Sequence, residues 1–357
     1  MDFQETGSCI IGKGDLILVT GAAGFLGSKV VERLLNLGFC NLRCFVRTSH
    51  PGARFRSLSC IVQDTPTVEV FWGNLLSRED CMKAVRDVSI VLHLAAGRGE
   101  KSYPDAVLNS VVTTRNLIEA SIASGSLHRF VSVSSFAVYS NTNKPRPRLL
   151  DEQCPVEARP ELRGDAYTFA KAKQDEMVVE YGRNFNLPYV IVRPGHVFGP
   201  GNEAISARVG IDTFGTFLHL GGPNRVPLTY VDNCADAVIL AGLRPGVERE
   251  VFNVVDDDLP SSRHFLRMYK KRARCFTSLY FPHALTYALC WLWERLSVWS
   301  EDQIPPVFNR RRWHAFWKKT RYSNDKLKRR LGWTPRISMA EGLRRYFEAC
   351  RERGSHA

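Results

Sequence analysis

A tyrosine and a lysine four residues apart, in Tyr167-Thr168-Phe169-Ala170-Lys171, form the pair best suited to move a proton. On a helix, residues at that spacing share a face. A free tyrosine ionises near pH ~10, too high for a base at neutrality. An ammonium beside it stabilises the phenolate and lowers that value. A second group could hold phosphate. In Gly21-Ala22-Ala23-Gly24-Phe25-Leu26-Gly27 the glycines allow a tight turn and a close backbone approach. A helix opening there would present free N–H groups to a pyrophosphate. Taken alone, each pattern has a plain reading: an exposed helix pair for the first, a tight turn for the second.

Position in the chain decides between these readings. The apolar runs 15–20, 42–47, 68–72, 90–94, 129–134 and 189–193 read as strands buried on both faces. Helical patterns separate them. One spans 25–37 and is closed by Gly38, and one spans 77–85 with Ser77 as N-cap and Asp80 completing an approximate capping box. Two more cover 103–124 and 166–185. This alternation predicts an α/β chain: a doubly wound parallel sheet (Rossmann fold) with a smaller, mostly C-terminal substrate lobe. Residues 1–193 are expected to form the dinucleotide-binding domain. Residues 194–357 are expected to be mainly the substrate lobe, with about 229–256 returning to the first domain. The glycine turn follows the first strand directly, and Tyr167 comes one segment after the fifth. The stretch 141–160, rich in proline and charge, is expected to be a surface loop.

The spacing of Thr20-Gly21-Ala22-Ala23-Gly24-Phe25-Leu26-Gly27 resembles the extended short-chain dehydrogenase/reductase superfamily. That superfamily includes nucleotide-sugar epimerases and dehydratases and the hydroxysteroid dehydrogenases. Other segments carry the same resemblance: His93-Leu94-Ala95-Ala96, Ser134-Ser135-Phe136-Ala137-Val138-Tyr139, Arg193-Pro194-Gly195-His196-Val197-Phe198-Gly199-Pro200-Gly201, Tyr230-Val231-Asp232, Phe252-Asn253-Val254 and Leu331-Gly332-Trp333. It implies that Ser135 joins Tyr167 and Lys171 as the third catalytic residue, its hydroxyl on the reacting substrate oxygen, with Ser134 beside it. It implies that Lys171 also holds the nicotinamide ribose. Further cofactor contacts are implied at Gly21, Ala23, Gly24, Phe25, Leu26, Gly27, Asn74, Leu75, Leu94, Ala95, Ala96, Tyr167 and Pro194. His93 is read as structural. His196 stands where the family often has an asparagine that touches nucleotide-sugar phosphates, and is a candidate substrate contact.

The second strand ends Phe45-Val46-Arg47. NAD-binding members usually have an acid about where Val46 stands. The Arg47 fork suits a ribose 2′-phosphate, so NADP is favoured over NAD; the alternative is a solvated strand-end charge. Dehydratases of this superfamily follow the serine with Asp-Glu, whereas here Phe136-Ala137 cannot transfer protons. Elimination is therefore disfavoured, and hydride transfer on an NDP-sugar, by an epimerase or reductase, is the leading expectation. A dehydrogenase of a sterol-like (3β-hydroxysteroid) or lipid-linked alcohol is second. A non-catalytic cofactor-sensing protein is third.

Bulk properties narrow the partners. The 357 residues are 44% hydrophobic and 24% charged, which suits a globular chain. A net charge of +13 suggests anionic partners. Nucleic acid is disfavoured, because no recognised binding module accompanies the charge. The ten cysteines form no CxxC pair, so neither a metal site nor a disulfide framework is expected, and a reducing, cytoplasmic setting is the simplest reading. The N-terminus lacks a signal-peptide pattern. The apolar run Ser278–Trp299 is interrupted by Pro282, His283, Glu294 and Arg295, so a spanning helix is not expected. A helix packed in the lobe is the favoured reading. The alternative is peripheral membrane contact through 278–319, aided by Arg310, Arg311, Arg312, Lys318 and Lys319; the basic run 310–330 could instead hold a substrate diphosphate or form a solvated face. The resemblance also implies a homodimer.

Overall fold

A computed structural model describes residues 9–47, 58, 67–97, 102–140, 148–213, 215–301, 303–304, 306 and 308–354. Its centre is a seven-stranded sheet. In chain order the strands are β1 (Leu16–Thr20), β2 (Leu42–Arg47), β3 (Val68–Gly73), β4 (Val88–His93), β5 (Arg129–Val133), β7 (Tyr189–Pro194) and β12 (Val251–Val254). β6 (Arg148–Leu150) lies outside this sheet, between β5 and β7 in the chain. In space the order is β12-β7-β5-β4-β1-β2-β3, and every pairing is parallel.

Burial follows from this order. β4, β5 and β7 are buried at every residue, as all-apolar strands covered on both faces must be. β3, at the edge, is only partly buried. The helices Phe25–Asn36 and Val231–Leu243 cover one face, packing Val30, Val31, Leu34 and Val238 into the core. Thr113–Ser124 and Ala166–Asn184 cover the other, contributing Leu117, Ile118 and Val178. From β1 the chain runs outward to β2 and β3, then crosses back to β4. The carboxyl ends of β1 and β4 therefore flank the switch point, where such sheets open a crevice.

The helix expected over 103–124 is one rod with an irregular middle. Tyr103–Ala106 and Thr113–Ser124 are α-helical, and Val107–Val112 between them is π-helical. The bulge brings the Ser110 carbonyl within reach of two hydroxyls, those of Thr113 and Thr114.

Three expectations need correction. The capping box at Ser77 is half formed: the Ser77 hydroxyl accepts the Asp80 N–H, but the Asp80 carboxylate turns to the Asn74 N–H at 2.7 Å. Arg148–Leu150, inside the expected loop 141–160, is strand β6, paired in parallel with β14 (Thr320–Tyr322); residues 141–147 lie outside the described residues. The run Ser278–Trp299 starts as strand β13 (Ser278–Tyr280) and becomes helical only at His283.

That helix, His283–Trp299, departs furthest from the favoured reading. Only Thr286, Cys290 and Ser297 are buried, whereas Leu285, Leu289, Trp291, Leu292, Trp293, Leu296, Val298 and Trp299 are exposed, Trp299 to 81%. Small and polar residues form the packed stripe, and the large apolar ones face out. Among the described residues no helix is long and apolar enough to cross a membrane.

Late segments complete the molecule. β8 (His196–Phe198) pairs with β11 (Leu228–Tyr230), and β10 (Thr216–His219) joins β9 (Gly210–Thr213) to β13. An aromatic cluster, including Phe198, Tyr230, Phe265, Tyr346 and Phe347, packs the helices Ser262–Arg272 and Met339–Gly354 together.

Candidate active site

The glycine turn is built for close approach. Gly21 has φ +69°, a left-handed conformation that favours glycine, and a side chain there would lie 2.9 Å from the Ala95 nitrogen. A Cβ on Gly27 would come within 2.0 Å of the Gly21 carbonyl oxygen, so only glycine lets the helix seat on the turn. The helix Phe25–Asn36 begins at Gly24 with no side-chain cap and no acid in its first turn. An uncapped N-terminus over a bare cradle fits a dinucleotide pyrophosphate.

A cavity of about 660 Å³ opens above this turn. Gly21, Gly24, Phe25, Leu26 and Gly27 line it, as do Leu94, Ala95 and Ala96 from the end of β4. Ser134, Ser135, Tyr167, Lys171, Pro194 and His196 line it as well. Four residues singled out from the sequence do not. Ala23 packs towards the core beneath the turn. Arg47 is exposed at the end of β2, in register with Gly73 of β3. Asn74 accepts the Leu76 N–H with its own side chain, and Leu75 is buried, its carbonyl accepting from Asn116. Val46, where an acid would stand, is buried.

Lys171 is held with care. Its Nζ donates to the Val133 carbonyl at 2.7 Å and to Gln174 Oε1 at 2.8 Å. Burial pushes its pKa down to about 8, with Asp175 opposing the shift. Gln174 Nε2 donates in turn to the Thr114 hydroxyl. Thr114 gives its own proton to the Ser110 carbonyl, so the His93 Nε2 beside it, at 2.8 Å, must carry the hydrogen. His93 Nδ1 then accepts from the Thr20 hydroxyl. Burial, reinforced by Lys171, pushes His93 down to about 3 and keeps it neutral. His93 is thus a buried connector between β1 and the lysine, as the sequence suggested.

The serines differ in environment. Ser135 caps the short 3₁₀ turn Phe136–Val138, its Oγ accepting the Ala137 N–H at 3.1 Å, which leaves the hydroxyl proton available. Among the described residues the buried Ser134 Oγ has no hydrogen-bond partner. The turn is clamped from behind: the buried Arg163 donates to the Ala137 and Tyr139 carbonyls. Asp165 caps the helix Ala166–Asn184, accepting from the Tyr167 N–H and the Thr168 hydroxyl, and so fixes where the Tyr167–Lys171 face begins.

Sequence reasoning missed part of the wall. Asp165, Asn202, Ser206, Arg208 and Phe316 also line the cavity; Arg312, which lines it too, belongs to the basic run that the sequence offered as a possible diphosphate holder. Arg208 lies in an irregular segment with no periodic pattern, so no sequence signal marked it. Among the described residues no cluster of side chains could hold a metal.

The profile of the NAD-dependent epimerase/dehydratase family matches residues 17–254, which contain the glycine turn, Ser135, Tyr167 and Lys171. The chain belongs to that family. Its relatives in the family are enzymes, and so is this chain. It is 27% identical to 2-alkyl-3-oxoalkanoate reductase of Stenotrophomonas maltophilia, over 92% of this chain and 97% of that one. It is 25% identical to the decarboxylating sterol-4-alpha-carboxylate 3-dehydrogenase of Mus musculus, over 97% and 94%. A trifunctional UDP-glucose 4,6-dehydratase, epimerase and reductase of Arabidopsis thaliana is 24% identical over 93% of this chain, which spans only 46% of that longer protein. Solved structures share the fold. UDP-glucuronic acid 4-epimerase from Bacillus cereus, in complex with UDP-glucuronic acid and NAD, superposes with a TM-score of 0.69 at 20% identity, covering 94% of this chain and 99% of that one.

Proposed function

We propose that this chain is an oxidoreductase of the epimerase/dehydratase family acting by hydride transfer on an NDP-sugar, as an epimerase or a reductase. The observation that carries this reading is the convergence of Tyr167, Lys171 and Ser135 on the cavity that the glycine turn floors. The nicotinamide, when bound, accepts or supplies the hydride at the carbinol carbon. Tyr167 takes the alcohol proton, or returns it to the ketone oxygen. Lys171 stabilises the phenolate between these events. The Ser135 hydroxyl donates to the same substrate oxygen and orients it. Phe136 and Ala137 offer no acid or base, and Asp165 on the cavity wall is engaged by the Tyr167 N–H and the Thr168 hydroxyl, which favours oxidation and reduction over loss of water. The exposed Arg47 and the absence of an acid at Val46 favour NADP over NAD.

Incubating the purified protein with UDP-glucose, UDP-galactose and UDP-glucuronic acid tests the substrate class. Inversion of the sugar without net change in nicotinamide absorbance selects an epimerase, and a net change selects a reductase or dehydrogenase. If none of the three is converted with either cofactor, the sugar-nucleotide assignment is withdrawn.

The helix His283–Trp299 favours a second reading, a sterol-like or lipid-linked alcohol as substrate. Its outward tryptophans and leucines suit the headgroup zone of a bilayer, and the Arg295 guanidinium carbon lies 5.4 Å from the Trp291 ring centre. In this reading segment 278–319 rests on an anionic membrane. The wild type is expected to float with phosphatidylserine vesicles, and a Trp291→Ser, Trp293→Ser, Trp299→Ser variant to remain at the bottom of the gradient. A wild type that also stays at the bottom, and elutes as a dimer, would assign the apolar face to self-association.

A further inference from the structure

Gln174 is wholly buried in the helix Ala166–Asn184, one turn after Lys171 on the same face. The hydrogen positions around it follow from one property: an ammonium has hydrogens to give and no lone pair. Lys171 Nζ therefore donates both bonds it makes behind the cavity, to the Val133 carbonyl and to Gln174 Oε1. The Gln174 amide is thereby oriented, and its Nε2 donates to the Thr114 hydroxyl at 2.8 Å. That oxygen also accepts from His93 Nε2 and gives its single proton to the Ser110 carbonyl at 2.6 Å, in the π-helical turn Val107–Val112. Thr114 thus accepts twice and donates once, the full capacity of a hydroxyl. On the far side of His93 the Thr20 oxygen takes the Ala95 N–H at 3.3 Å. The chain of bonds starts at Lys171 and ends at Ala95, and both line the cavity.

A buried amide is costly unless both its ends are bonded, and here both are. Its oxygen accepts more strongly from an ammonium than from a neutral amine, so it favours the charged lysine. Burial works against that, pulling Lys171 down to about 8. The ionisable groups around the lysine have other engagements. Asp175, on the same helix, also favours the ammonium, but it shares its charge with Arg193 of β7, whose Nε donates to it at 2.9 Å. His93 of β4 is held neutral by burial and by Lys171. Asp165 holds the start of the helix, and Arg163 the carbonyls of Ala137 and Tyr139. The Tyr139 hydroxyl donates to Asn253, that of Tyr103 to the Glu161 carbonyl, and that of Tyr181 to Glu119. Tyr167 shares the cavity wall with the lysine.

We propose that Gln174 is a positioning residue: acting through Lys171, it fixes where the ammonium sits against the end of β5 and keeps it charged while the phenol works. Thr114 and His93 hold the amide in the orientation this needs. The inference rests on the reading of the cavity as the active site, and it is tested first on the lysine itself rather than on turnover.

Lysine labelled isotopically at Cε reports the titration of each ammonium by nuclear magnetic resonance, and the Lys171 signal is the one missing from Lys171→Met. The measurement uses the full-length protein saturated with NAD. Gln174→Met keeps the side-chain length and removes both polar ends; it should lower the Lys171 midpoint by about one pH unit, the size of one charge-assisted hydrogen bond. Gln174→Glu sets a carboxylate beside the ammonium and should raise the midpoint by about one unit. On a converted substrate the high-pH limb of kcat should move in the same direction as the midpoint in each variant, with KM and NAD affinity as in the wild type. If Gln174→Met does not fold, Thr114→Val, which takes away the partner of the amide, should shift the midpoint downward by less. A Lys171 midpoint equal to wild type in every variant, or one that moves the same way in Gln174→Met and Gln174→Glu, would overturn the proposal and leave Gln174 a packing residue. Midpoints that move as expected beside an unmoved kcat profile would uphold the role of Gln174 at the lysine and remove Lys171 from the chemistry, so the two readings fail separately.

Discussion

Tyr167→Phe is expected to lower kcat by about 10²- to 10⁴-fold, the range for loss of a positioned proton carrier. The change removes one oxygen and keeps the ring, so the packing of the helix Ala166–Asn184 is preserved. The cradle at Gly21, Gly24 and Gly27 is untouched, and cofactor affinity should match the wild type. Steady-state turnover on a converted substrate, with fluorescence titration of reduced nicotinamide, separates the two quantities. Undiminished turnover would remove Tyr167 from the chemistry. A fall in cofactor affinity alone would make it a binding residue.

Lys171→Met should move activity and stability in opposite directions. Turnover should fall by a similar ~10²- to 10⁴-fold, because the phenolate loses its cation. The folded protein should gain stability at neutral pH. The lysine pKa is lowered from 10.5 to about 8 by burial, so folding takes a charged group into a place that resists charge. That shift corresponds to a cost of about 3 kcal/mol at neutrality, offset in part by bonds to Val133 and Gln174. The sign with pH follows. Between about 8 and 10.5 the unfolded chain holds a proton that the folded chain has released. Wild-type stability should therefore rise as pH climbs through that window, while activity that needs the ammonium declines above about 8. Thermal melts beside a pH–rate profile check both limbs. A variant less stable than wild type at pH 7 would show that the hydrogen bonds outweigh the burial cost. In the proposed mechanism Lys171 and the phenol titrate as a coupled pair, so the kinetic limb reports the pair.

The sheet was legible because its central strands are largely apolar and are separated by helices with clear spacing. Leu16–Thr20 and Tyr189–Pro194 need no partner to be recognised: their composition states that both faces are covered. That Tyr167, Lys171 and Ser135 line one cavity was legible because Lys171 stands four residues after Tyr167 on one helix and Ser135 lies just past the end of β5. Other features depend on residues far away in the chain. Arg148–Leu150 is a strand only because Thr320–Tyr322 pairs with it, and nothing in its proline- and charge-rich surroundings shows that. The helix His283–Trp299 is apolar nearly all round, so no single stripe predicted its buried face. The small residues Thr286, Cys290 and Ser297 mark that face once the contacts are known. Arg208 gave no signal, since its place on the cavity wall is fixed by a helix a hundred residues later.

The β6–β14 pairing also bears on how the protein is made. Phe136, next to Ser135, stacks on Tyr322 with ring centres 5.6 Å apart, and the Arg163 carbonyl is held by Asn309. A nascent chain leaving the ribosome carries its serine, tyrosine and lysine long before the segment that braces them has been translated. The bracing of this cavity wall is therefore complete only once the chain has grown past Tyr322.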